Sequence, residues 1–75
     1  MKPTEHTTND YTATVYANNL IAANSANDEL FHSLAKSLYF EDTSFIVEVS
    51  HYLEEHDVHV LDRVDDIFFS MDCQL

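Results

Sequence analysis

Beyond residue 9 the chain contains neither glycine nor proline, so every reversal of direction up to residue 75 is made without the residue that most readily takes a positive φ. Two-residue hairpins of the favoured types need positive φ at one or both central positions. A sheet built of hairpins would therefore have to place Asn or Asp at every turn. Helices joined by short polar links need less, because Asn, Asp and Ser can start a helix from an ordinary extended backbone. The constraint favours an all-α fold before any periodicity is counted.

Periodicity agrees over three segments. In residues 57–71, Val60, Leu61, Val64, Ile67, Phe68 and Met71 recur at three- and four-residue spacing on one helical face, and Asp57 stands where an N-cap is needed. Residues 28–40 carry Leu30, Phe31, Leu34, Ala35 and Leu38, with Ser25 or Asn27 as the cap and Asp28 and Glu29 where the helix dipole favours acids. Residues 44–56 place Phe45, Ile46, Val49, Tyr52 and Leu53 on one side; Phe45, Val47 and Val49 also alternate as a strand would, and helix is the reading. Residues 10–23 are two-valued: Tyr11, Ala13, Val15 and Ala17 alternate, whereas Leu20, Ile21, Ala22 and Ala23 suit a helix. A lone strand leaves its edges unpaired, and the sole other strand candidate lies near residues 45–49. The expectation is a small three- or four-helix bundle, with a small α+β domain as the alternative. Residues 1–9, which hold the single proline, read as a flexible N-terminal arm, and 10–75 as a single compact acidic domain.

Charge then narrows the function. Fourteen Asp and Glu face three Lys and Arg, a net −11. Direct nucleic-acid binding is driven by clustered Lys and Arg releasing counterions, and attraction to an anionic membrane needs the same clusters; Lys2, Lys36 and Arg63 cannot supply them. A single cysteine, Cys73, does not suggest a secreted disulfide scaffold. With neither a signal-peptide pattern nor an apolar run near the roughly 20 residues that span a bilayer, the expectation is a soluble, cytoplasmic protein. A hydrophobic content of 45% is too high for a disordered acidic tail. A domain of this size buries only about 60% of its unfolded surface and is marginal alone, so a partner or a homodimer could support it.

Residues 28–75 hold 12 of the acids and only two cations. If 57–72 is a helix, Asp62, Asp65, Asp66 and Asp72 fall largely opposite the apolar stripe, and Glu54, Glu55 and Asp57 cluster at the junction before it. Carboxylates three and four residues apart step about 4.5 to 6 Å along a helix, close in scale to the 3.4 Å per phosphate of one DNA strand. Such a ridge could stand in for a phosphate backbone. Like charges at this spacing cost tenths of a kcal/mol each, and Asp72 opposes the preference for cations at a helix C-terminus; a marginal domain that tolerates both invites a functional explanation. Phe69 projects on or beside the acidic side, where an aromatic ringed by polar groups would serve as an interface anchor.

His51, Glu55, His56 and His59 have the spacing of a metal set on a continuous helix, but a break at Asp57 would scatter them, and neither a cysteine pair nor an HExxH pattern accompanies them. No metal or other cofactor is expected. Catalysis would require paired carboxylates in different environments lining a pocket, or a nucleophile held beside an oriented base, and the pattern supplies neither. In broad character the chain is similar to the small acidic proteins that mobile elements use against host nucleases, CRISPR effectors or restriction enzymes. The likeness is one of composition, and no residue is carried over from it. The expected role is a non-enzymatic inhibitor whose acidic face, Asp62, Asp65, Asp66 and Asp72 with Glu54, Glu55, Asp57 and Phe69, blocks a basic nucleic-acid-handling protein. The alternative is a small helical regulatory or antitoxin-like module that binds through apolar surface.

Overall fold

A computed structural model describes residues 2–74, with side chains described for residues 12–73. Four helices follow one another: α1 (Lys2–Ala26), α2 (Asp28–Tyr39), α3 (Thr43–His56) and α4 (Val58–Gln74). There is no strand among the described residues, so the α+β alternative falls and the all-α bundle stands. The arm read over residues 1–9 lies outside the residues whose side chains are described.

Two single-residue breaks replace the missing glycines. Asn27 donates its backbone N–H to Ala23 O at 2.8 Å, closing α1, and its side chain accepts from Leu30 N–H at 3.1 Å, opening α2. Its φ of −154° and ψ of 99° are extended backbone. Of the two caps the sequence offers, the structure uses Asn27 rather than Ser25. Asp57 repeats the device: its N–H donates to Leu53 O at 2.7 Å while Oδ1 accepts from Val60 N–H at 3.3 Å. The third link, residues 40–42, is a short turn in which Phe40 N–H and Glu41 N–H donate to Ser37 O and Leu38 O. No described residue takes a positive φ.

The segment with two readings is helical because its buried residues are spaced for a helix. Ala13, Ala17, Leu20 and Ala23 face the core, whereas Val15, which strand alternation would place beside Ala13 and Ala17, is exposed. In α3, Val49 and Leu53 are buried and Val47 is 56% exposed, which resolves the second ambiguity in the same way. Phe31, Ala35 and Leu38 of α2 and Val60, Val64 and Ile67 of α4 complete one apolar core, and the described residues bury no polar or charged group in it. α1 packs against α2 and α3, and α4 packs against the same two helices from the other side, so α1 and α4 stand largely across the bundle from one another. Tyr16 ties α1 to its neighbours: its hydroxyl donates to Leu34 O at 2.6 Å and its ring meets Phe45 edge-on at 5.6 Å.

Candidate functional site

The outer face of α4 follows from the inner one. With Val60, Val64 and Ile67 in the core, the 100° step per residue carries Asp62, Asp65, Asp66, Phe69 and Asp72 toward solvent, and all five are exposed. Ten residues separate Asp62 from Asp72, a rise of about 15 Å. Phe69 is 70% exposed between these acids. Val58, also exposed, begins the same face.

The carboxylates along this face are not equivalent. Partial desolvation, then the charges of Asp62 and Asp66, hold the Asp65 pKa above the ordinary carboxylate value. Asp72 accepts a hydrogen bond from the Tyr39 hydroxyl of α2, and that bond, with smaller contributions from desolvation and the Asp72 charge, raises the pKa of the phenol. The Tyr39 ring stands edge-on to Phe68 at 5.2 Å and to Phe40 at 5.3 Å, which fixes the end of α2 against the last turns of α4. The Tyr39 contact was not legible in the sequence, because 33 residues separate the partners.

The junction residues divide. Glu54 and Glu55 are exposed at the end of α3, with Glu55 3.8 Å from His51 Nδ1. Asp57 is half-buried and its Oδ1 caps α4, so it serves the fold first. The helix break there leaves His51, Glu55 and His56 on α3 and His59 on α4, with the His56 ring stacked on Tyr52 at 4.1 Å. Among the described residues no three His, Cys, Asp or Glu side chains come together as a metal-ligand set.

Arg63 lies among the α4 acids in sequence but reaches across to α1 and α2. It donates to Asn24 Oδ1 at 2.7 Å and to Asp28 Oδ1 at 2.9 Å, and its guanidinium lies 4.4 Å from the centroid of the Phe31 ring. One cation is thus withdrawn from the ridge, which a count of charges along the chain does not show. A second acidic group also escaped the sequence reading: Glu41, Asp42 and Glu48, with Ser44 and Phe45, line a 240 Å³ depression at the start of α3.

No family model matches the chain, and no curated protein and no solved structure matches it either.

Proposed function

We propose that the protein is a non-enzymatic inhibitor that docks the outer face of α4 on a basic, nucleic-acid-handling surface of a target protein. The observation that carries this reading is the row Asp62, Asp65, Asp66 and Asp72, exposed along one helix face with Phe69 among them and with the nearby cation, Arg63, paired to Asp28 of α2. Carboxylates on this face pair with Lys and Arg that otherwise hold phosphates, and Glu54 and Glu55 extend the contact from the α3 end. Phe69 adds an apolar anchor. The chain itself contains the contact that such a partner arginine would make, since Arg63 combines an aromatic face with a carboxylate in its contacts to Phe31 and Asp28.

A nuclease, a CRISPR effector or a restriction enzyme has a surface of this chemistry, which fits an anti-defence role for a phage or mobile element. The alternative is a regulatory or antitoxin-like module led by apolar contact, and the exposure of Phe40 (74%) and Phe69 is the observation in its favour. A pull-down from host lysate at low salt and then at about 0.5 M salt, where the Debye length falls to about 4 Å, separates the two. A basic target released by salt and displaced by DNA or RNA supports the proposal. A partner that survives high salt and ignores nucleic acid overturns it and leaves the apolar module.

A further inference from the structure

The charge of this protein is confined to part of its surface, and what is left uncharged has a shape. Residues 11–27 contain no Asp, Glu, Lys, Arg or His in a chain of net charge −11. They form most of the described part of α1, whose solvent side carries Val15, Asn19, Ala22 and Ala26. Helical geometry extends the uncharged zone onto α2: Leu30, Ser33, Leu34 and Ser37 fall on the side facing α1, while Asp28, Glu29, His32 and Lys36 fall on the side away from it. Between the two helices runs an open groove of 390 Å³, lined by Asn19, Ala22, Ala23, Ala26, Asn27, Leu30 and Leu34, without one ionisable side chain. Leu30 is 47% exposed at its edge.

We infer that this groove is the contact between two copies of the chain. Two molecules of charge −11 repel wherever their carboxylates face each other, and the α1/α2 groove is a surface through which they can meet without pairing like charges. A two-fold contact presents one patch to itself, so an uncharged patch is self-complementary where an acidic one is not. The small side chains of Ala22 and Ala26 let a second helix approach, and Val15 and Leu30 supply the exposed apolar edges. A core in which four of the twelve buried residues among those described are Ala13, Ala17, Ala23 and Ala35 offers little apolar area per residue, and a dimer adds to it. Because α1 and α4 stand across the bundle, such a dimer leaves both α4 faces outward and free.

Sedimentation velocity on the full chain tests this. Raising salt from about 0.05 to 0.5 M shortens the Debye length from roughly 14 to 4 Å and screens the repulsion between copies. Self-association is therefore expected to strengthen with salt, the opposite of the salt response proposed for the acidic face. Ala22→Glu and Leu30→Glu each introduce a carboxylate at an exposed position, where helical content should be kept, and should weaken the dimer by about tenfold or more, as ~1.4 kcal/mol of repulsion suffices for that factor. A monomer at all salt concentrations overturns the inference. So does a dimer that weakens with salt, or one that both variants leave intact.

Discussion

Phe69 is the residue at which folding and the proposed binding separate most cleanly. At 70% exposure it contributes little to the core, and substitutions at such surface positions usually change stability by less than about 0.5 kcal/mol. Phe69→Ala is therefore expected to leave the melting temperature nearly unchanged while weakening target capture; a marked loss of stability would show that the ring packs within the fold. Asp65 has the opposite character. Its folded-state pKa lies above the ordinary value of 3.8, so ionising it costs the folded state. That cost is absent below the unfolded pKa, where the carboxyl is protonated in both states, and is complete once pH has risen past the folded one. Asp65→Asn should stabilise the protein at neutral pH by a few tenths of a kcal/mol, the scale of like-charge pairs on a helix, and the gain should vanish as pH falls below 3.8. Thermal melts at pH 7 and near pH 3 read this directly. A gain of equal size at both pH values contradicts it.

Among the elements, the two single-residue breaks set where the helices begin and end. Asn27 and Asp57 each end one helix with a backbone N–H and begin the next with a side-chain oxygen. Asn27→Ala and Asp57→Ala should each lower unfolding free energy by ~1 kcal/mol, the usual value of an N-cap, measurable by chemical denaturation. No loss in either variant would mean that the breaks are held by packing alone. Asp57 was legible as a cap, and Asn27 as one of two candidates beside Ser25, because capping is local chemistry and both stand just before strong apolar periodicity. The conformation of residues 10–23 was less so. Its inward residues are mostly alanine, whose burial leaves a faint periodic signal, while Tyr11 and Val15 impose a louder alternation. The buried spacing Ala13, Ala17, Leu20 and Ala23 shows that packing decided. Val47 supplied the competing strand pattern over residues 45–49 in the same way, as an exposed apolar residue, although helix was the reading there and helix it is.

The described surface is polarised: α4 carries an acidic outer face, and residues 12–26 of α1, largely across the bundle, an uncharged one. The acidic face was readable from the phase of Asp62, Asp65, Asp66 and Asp72 against Val60, Val64 and Ile67. The reach of Arg63 to Asn24 and Asp28 and the tether between Tyr39 and Asp72 were not, because each depends on where helices far apart in sequence come to lie. An acidic surface that serves only solubility would tolerate loss of any few charges. One that replaces phosphates in a basic groove would not, and its binding must be screened by salt.

The most direct test is therefore the salt dependence of the dissociation constant for the captured target, measured by calorimetric titration with the native chain and with D62N/D65N/D66N. Native binding is expected to weaken steeply with salt, and the variant, still folded, to bind at least about tenfold more weakly with a shallower dependence, since each ~1.4 kcal/mol lost is a factor of ten. Affinity that ignores salt and is the same for both proteins would contradict it.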